Sequence, residues 1–316
     1  MTSSAAAAGQ GGAETSRRTE LIAPEPAEAL AGLLDIDPPD EGGELPALWH
    51  WIYLLERRRQ SDLGPDGHPT NGIPAPPGPG RLRMFAGGRV SMHASLRIGE
   101  PATRTTRVIR SVEKHGKSGP LTFVTVRSDI EQGGRLVIAD EQDIVYRAPG
   151  STLSAKPGTA ETPAFTGGLA LDVDSVVLFR FSALTYNAHR IHYDPAYAAA
   201  EGYPGLVVHG PLQALMMGEL FRRSGARPVG QEFAYRLVAP MFGEQRLTAL
   251  PDPAALPGPA DRPTDGPADG PTDGFADGFA AALVRDGEGR VTATSTLRPL
   301  DRSPAAPEPT AAAEPS

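Results

Sequence analysis

The 316-residue sequence contains no cysteine, which excludes disulfides, thiolate nucleophiles and thiolate metal sites. Any nucleophile is therefore an oxygen, a nitrogen or an activated water, and the expected compartment is a reducing, cytoplasmic one. No apolar run approaches the roughly 20 residues that a membrane-spanning helix requires, so no membrane partner is expected. The opening MTSSAAAAGQGGAETSRR offers only a short alanine run, too little for a signal-peptide core, and Glu14 and Glu20 disfavour a transit peptide. No GxGxxG or phosphate-loop pattern is present. A formal net charge of −8 argues against a nucleic-acid partner. The triplet Arg57, Arg58 and Arg59 reads as a solvated helix end.

Glycine and proline are plentiful, 36 and 33 residues, and they keep a good part of the chain out of helices and central strands. Two cores are expected, with unstructured segments around them. Residues 1–20 (Ala/Gly/Ser-rich) and 303–316 (Pro/Ala/Glu-rich) bury too little apolar surface to offset their ordering entropy and read as disordered tails. The quasi-repeat PTDG PADG PTDG FADG marks 251–278 as a flexible insertion. A calcium loop needs a ligand ladder ending in a bidentate carboxylate, which this repeat lacks, so no metal is expected. The remaining chain divides into an N-terminal domain over 21–150, a linker over 151–170 and a C-terminal domain over 171–302.

Val90, Met92, Ala94, Leu96 and Ile98 alternate with polar residues as in a strand with one buried face, which turns His93 to solvent. Strand-like runs follow at Thr103–Val112, Leu121–Ile130 and Arg135–Tyr146, with turn signals at His115-Gly116 and Gly133-Gly134. The second half replays the order at Phe233–Pro240, Gln245–Leu250, Phe279–Arg285 and Arg290–Leu297. ASLRIGE, ending at Glu100, overlays VAPMFGE, ending at Glu244, an offset of 144 residues. One helix candidate precedes each set, Pro46–Arg58 and Pro211–Arg223. The second shows Leu212, Leu215, Met216 and Leu220 on one face and Pro211 at a first helical position. A helix wrapped by a long antiparallel sheet, twice over, is an α+β double hot dog. Trp49, Trp51 and Tyr53 are expected in the first core.

Two of the seven histidines fall in the segment Ser182–Ala198, SALTYNAHRIHYDPAYA. Asp194-Pro195 reads as an N-cap with proline at the first helical position, and Gly202 closes the short helix. Asn187 to His192 is then a compact irregular approach able to aim several polar side chains into one cleft, though a polar surface turn fits the spacing equally. Gly210 before Pro211 opens a helix whose free N–H groups suit an oxyanion, or it simply allows a tight turn.

At these residues the chain resembles the MaoC-like, or type-2 enoyl-CoA hydratase, family, whose signature is Asp-x-Asn-Pro-Leu-His-x-Asp followed by a short helix and His-Gly. Laid on it without gaps, Asn187 falls on the family's catalytic Asp, His189 on its Asn and Arg190 on its Pro. His192 falls on its catalytic His and Asp194 on the Asp that follows. Gly210, eighteen residues beyond His192, matches the glycine whose amide binds the thioester carbonyl. YNAHRIHYD, GYPGLVVHGPL, LWHWIYLLE, LGPDGHP and RMFAGGR further resemble the narrower branch of mesaconyl-C4-CoA (3-methylfumaryl-CoA) hydratases, akin to mitochondrial 3-hydroxyacyl-thioester dehydratases, where Asn replaces Asp.

The resemblance implies reversible hydration of an acyl-CoA thioester, most simply 3-methylfumaryl-CoA to citramalyl-CoA, without metal or redox cofactor. It implies one active site, the first half lacking a counterpart of NAHRIHYD. His192 would act as base and return the proton, Asn187 would hold water, and the Gly210 amide would polarise the carbonyl. His189 would support the site, and His209 would make a structural hydrogen bond. Arg190 or Arg236 would meet the free carboxylate of the substrate. The rival expectations are a dehydratase of longer 3-hydroxyacyl-CoA or acyl-carrier-protein thioesters, and a non-catalytic acyl-thioester binder. A homodimer is compatible with either.

Overall fold

The computed structural model describes residues 14–75, 81–116, 119–147, 168–252 and 280–300. Ten strands form one antiparallel sheet: β1 (Thr15–Leu21), β2 (Leu82–Met92), β3 (Pro101–Gly116), β4 (Gly119–Gln132), β5 (Arg135–Arg147), β6 (Leu169–Val173), β7 (Gln231–Leu237), β8 (Gln245–Pro251), β9 (Ala281–Arg285) and β10 (Val291–Pro299). The helices are α1 (Pro24–Leu34), α2 (Ser175–Leu184), α3 (Pro195–Ala200) and α4 (Gly210–Arg223). The strand order β1-β3-β4-β5-β2-β7-β10-β9-β8-β6 is one five-strand pattern written twice and mirrored about the β2/β7 seam. The repeat seen in the sequence is thereby structural. β3 and β8 each follow a left-handed glycine, Gly99 at φ 86° and Gly243 at φ 71°, that turns the chain into its strand.

α4 is the central helix of the second half. Every residue from Leu212 to Phe221 is buried, so its polar members need internal partners. Gln213 Oε1 accepts from Thr292 Oγ1 at 2.7 Å, and Glu219 accepts from Trp49 Nε1 and Arg222 Nε, both at 2.8 Å. No helix among the described residues is long and apolar enough to cross a membrane.

Several expectations are corrected. The helix expected over Pro46–Arg58 is a single 3-10 turn, Trp49–Ile52, bracketed by left-handed Leu48 (φ 68°) and Leu54 (φ 56°). Leu48 and Trp49 abut α4 itself, at Gly218 and Glu219, so the segment packs against the central helix instead of forming a second one. Trp49 and Tyr53 enter the core as expected, whereas Trp51 is only half-buried and donates to Asp140 Oδ2 at 2.8 Å. The arginine triplet ends no helix: Arg57 pairs with Glu20 and Arg58 with Glu56.

The tail expected over 1–20 is cut short by β1, an edge strand that buries no side chain. It is held by its ladder to β3 and by Glu20, which accepts from Arg18 and from the Leu54 N–H. The two expected cores are one continuous cluster drawing on both halves, with a small satellite of Val124, Val126, Ile144 and Tyr146. The strand expected through Ile98 ends at Met92, although Leu96 and Ile98 are buried and His93 and Arg97 exposed as the alternation predicts. Nearly all of the linker (151–167), all but Pro251 and Asp252 of the insertion (253–278) and the C-terminal tail lie outside the described residues.

The seam is built on glycine. At Gly87 (φ 150°) a Cβ would overlap the Tyr235 carbonyl oxygen, and at Gly88 it would overlap that of Glu141 and approach Tyr235 Oη at 2.8 Å. Backbone lies where a side chain would otherwise be, the usual meaning of glycine inside a strand. Gly88→Ala is therefore expected to destabilise the fold by about 1–3 kcal/mol or more. A thermal midpoint unchanged from wild type would contradict this reading of the seam.

Candidate active site

The polar turn is shaped by what precedes and follows it. After α2 the chain passes through left-handed Tyr186 (φ 50°), and the Asn187 N–H donates to Ser182 O at 2.8 Å. Asn187 Oδ1 accepts the His189 N–H at 3.0 Å, which leaves its amide N–H groups without a partner among the described residues. A 3-10 turn, Arg190–His192, leads to Asp194, whose Oδ1 caps α3 through the Tyr197 N–H at 3.0 Å. The cap expected at Asp194-Pro195 is thus present, with Gly202 at φ 87° beyond the helix.

A loop of the first half is latched onto this turn. Asp66 O accepts the Arg190 N–H at 2.9 Å, and Pro65 O accepts Arg190 Nη1 at 3.1 Å. A Cβ on Gly67 (φ 88°) would collide with Ala188 O. This places His68 beside His189, ring centroids 4.0 Å apart, and His68 Nδ1 donates to Asp66 Oδ2 at 2.9 Å.

The histidines form a row. His189 meets His192 edge-on at 5.6 Å, and His192 stacks on His209 at 3.7 Å. His192 Nδ1–H donates to Val207 O at 2.7 Å, so the tautomer is fixed and Nε2 is left as an acceptor in the cavity that the ring lines. Burial lowers the His192 pKa to about 4, against the Val207 hydrogen bond and with help from the His68 charge. Burial, then the His68 and His192 charges, lowers His189 to about 2, and burial holds His209 well below its usual value. All three rings are neutral near neutral pH. His209 Nε2 meets Ser182 Oγ at 2.9 Å, the structural hydrogen bond expected of it. Asp66, despite burial that would raise its pKa, is lowered to about 2 by the hydrogen bonds from His68.

Gly210 opens α4 with His209 as N-cap, and its N–H has no partner among the described residues. A Cβ there would overlap Leu237 Cδ1 and lie 3.2 Å from Phe85 Cδ1. Asn187, His189, His192, His209 and Gly210 all line one cavity of about 530 Å³. Arg190 and Arg236 do not. Arg190 is spent on Asp194, 2.6 Å away, and stacks on Tyr197 at 4.4 Å. Arg236 alternates with buried Phe233 and Tyr235 on β7 and is exposed.

The cations that do line the cavity are Arg83 on β2 and Arg104 on β3, both lowered in pKa by burial and neither in an ion pair among the described residues. These two arginines, with Asp66 and His68, were missed as site residues, although RMFAGGR and LGPDGHP contain three of the four. A larger hollow of about 1150 Å³, lined by Arg97, Arg135 and Arg222, contains none of the histidines. Asp66, His68 and His189 bring three metal-ligand atoms within 4.8 Å of one another. The Asp66–His68 contact, however, has the length of an ordinary hydrogen bond, and a shared proton accounts for it.

Fold and cavity together define a double hot dog with a histidine-lined pocket between its halves. Solved structures of this architecture include HtdX of Mycobacterium tuberculosis, with a TM-score of 0.60 and 14% identity over 91% of this chain and all of that one. A second, from the same organism and likewise a double hot dog, has a TM-score of 0.50 and 14% identity over 90% of this chain and 95% of that one. The family model for hydroxyacyl-thioester dehydratase type 2 matches residues 48–243, and the chain belongs to that family. It is 49% identical over 223 residues to a mesaconyl-C(4)-CoA hydratase of Chloroflexus aurantiacus, covering 68% of this chain and 79% of that protein. It is 27% identical over 230 residues, 63% of this chain and 75% of the other, to the mitochondrial hydroxyacyl-thioester dehydratase type 2 of Schizosaccharomyces pombe.

The neutral histidine row makes the fold sensitive to acid. An unfolded histidine takes up a proton below roughly pH 6.5, whereas folded His192 does so only near 4 and His189 near 2. Stability is thus full above that value and falls as the pH drops, by roughly 1.4 kcal/mol per pH unit for each such histidine. Urea midpoints between about pH 7 and 5 are expected to decline steeply in wild type and less steeply in His189→Gln. Equal slopes would show that His189 is not held neutral.

Proposed function

We propose that the protein is a hydro-lyase acting on an acyl-CoA thioester, with 3-methylfumaryl-CoA hydrated reversibly to citramalyl-CoA. The observation that carries the reading is the fixed tautomer of His192, whose Nε2 shares a cavity with the Gly210 N–H. Water gives a proton to Nε2 and its oxygen to the β-carbon. Charge developing on the thioester oxygen is met by the Gly210 amide at the N-terminus of α4. Asn187 has its oxygen engaged by the His189 N–H, so it orients the water through its amide N–H. A neutral imidazole is the form able to accept that proton.

The substrate assignment is supported by the relative from Chloroflexus and by Arg83. Arg83 lies two residues before Phe85 on β2, hence on the same face, and Phe85 reaches Gly210. Arg83 also interacts electrostatically with Asp66 and His189, which puts its charge at the histidine end of the cavity. In 3-methylfumaryl-CoA the free carboxylate sits on the carbon that receives water, where such a cation is needed. A long alkyl chain would instead have to pass two half-buried guanidinium groups, Arg83 and Arg104.

Hydration assays with 3-methylfumaryl-CoA, crotonyl-CoA and a longer enoyl-CoA test the reading, and turnover of the long chain alone would refute it. His192→Ala is expected to lower kcat at least about a hundredfold, while Asn187→Asp retains some activity, reduced by the added negative charge, because a carboxylate keeps the His189 N–H and still binds water. Arg83→Met should lose about a hundredfold or more in kcat/KM on 3-methylfumaryl-CoA, the scale of a buried charge-assisted pair, but little on crotonyl-CoA. Equal losses on both would remove Arg83 from carboxylate recognition.

A further inference from the structure

Hydration needs a second proton transfer, to the α-carbon, and the motif position that carries a carboxylate in the broader family carries Asn187 here. An amide has no proton to exchange in this role. The first half of the chain brings an ionisable pair to the same cavity. Asp66 holds His68 twice, accepting its N–H at 3.0 Å and its Nδ1–H at 2.9 Å. The carboxylate thereby fixes the ring and directs Nε2 away from itself, as the acidic member of a Ser-His-Asp triad orients its histidine. His68 lines the cavity together with His192, Asn187 and Gly210, and its side chain is 22% exposed, so it can exchange protons with solvent.

We propose that His68 is the second proton-transfer residue of the reaction, oriented by Asp66 as a positioning residue, in place of the carboxylate absent at Asn187. This rests on the hydratase reading. In the hydration direction His192 Nε2 takes a proton from water, whose oxygen bonds to the β-carbon while the π-electron pair moves to the α-carbon and thioester oxygen. The His68 imidazolium then gives its Nε2 proton to the α-carbon. His192 releases its proton and His68 regains one through solvent, so the cycle closes without a net change in either ring. Dehydration runs the same steps backwards.

The groups that face His68 suit the role. Asp66 adjoins it on its own loop, His189 packs on it from the catalytic turn, and Arg83 on β2 and His192 interact with the same cluster. The negative charge of Asp66 offsets that of an imidazolium, while neutral His189 separates the two working rings. Recruitment depends on main chain, since Asp66 O and Pro65 O make the latch to Arg190. Side-chain substitutions at 66 and 68 therefore leave the loop attached.

The test uses the full chain with His68→Gln, His68→Ala, Asp66→Asn and His192→Ala. His68→Gln is expected to lose about a hundredfold in kcat, the usual scale of a proton-transfer group, with KM within about threefold of wild type. Added imidazole should restore turnover to His68→Ala in proportion to its concentration. Asp66→Asn should shift one limb of the pH–rate profile, an effect that a purely structural residue would not produce. His68→Gln at the wild-type rate, with His192→Ala inactive, would overturn the dyad and leave the hydratase reading standing. Wild type inactive on every enoyl-CoA would overturn both. Activity abolished by a chelator and restored by a divalent cation would assign Asp66, His68 and His189 to a metal and overturn the dyad as well.

Discussion

The two halves meet edge to edge along β2 and β7, and the site depends on how closely those strands approach. Without side chains at Gly87 and Gly88, Tyr235 packs into the seam, between Phe85 at 5.9 Å and Trp51 at 5.6 Å. The bulge between Phe85 and Gly87 re-registers β2 against β5 at the end of the segment, Arg83 to Ala86, that faces the cavity. Phe85 then closes on Gly210 and Arg83 stands behind it. The site is a property of the joined halves: the second supplies the histidine turn and the head of α4, and the first supplies the wall, the cations and the loop that fixes the turn.

That division explains why the first half, among its described residues, keeps the sheet without a central helix of its own. A second long helix is not needed where Trp49 and Leu48 fill the space against α4, and the single 3-10 turn frees the following chain, through Pro69, to cross to the other half. The crossing ends in the latch at Asp66 and Arg190. An irregular turn such as Asn187–His192 has few ladder hydrogen bonds of its own, and the fixed geometry of its rings comes from this second contact. The latch requires glycine at 67, where the backbone lies against Ala188 in a conformation that side-chain-bearing residues rarely adopt.

What the sequence makes legible follows from range. Local signals were readable: period-two strands, the Asp194-Pro195 cap, the Gly210-Pro211 helix start and the 144-residue repeat. So was the family, because its motif lies within one short segment, and the double hot dog follows from it. Long-range facts were not readable. LWHWIYLLE is helical by composition and is overridden by packing against Gly218 and Glu219, while TSRRTEL has no apolar face and becomes a strand only because β3 offers an edge. Arg190 and Arg236 were reasonable carboxylate partners by proximity in sequence, yet one is held by Asp194 and the other points outward. Arg83 and His68 reach the cavity from more than a hundred residues away, a distance that residue spacing cannot bridge.

The electrostatics of the cavity give a reason for an amide at position 187. Glu56 and Asp140 already line the cavity and Asp66 adjoins it through His68, and a substrate of the proposed kind brings a further negative charge on the carbon to be hydrated. A carboxylate at 187 would add another beside the substrate's own, and a pair of like charges roughly 5 Å apart at an effective dielectric of about 20 costs on the order of 3 kcal/mol. Asn187 keeps the hydrogen bond that shapes the turn, through Oδ1 and the His189 N–H, and carries no charge. The guanidinium of Arg83, in no ion pair among the described residues, then leaves the cavity receptive to an anionic acyl group. On this account the departure at Asn187 and the recruitment of the Asp66–His68 pair are one adaptation: the proton-transfer function moves to a group whose charge is balanced within its own loop, and the position nearest the substrate becomes neutral.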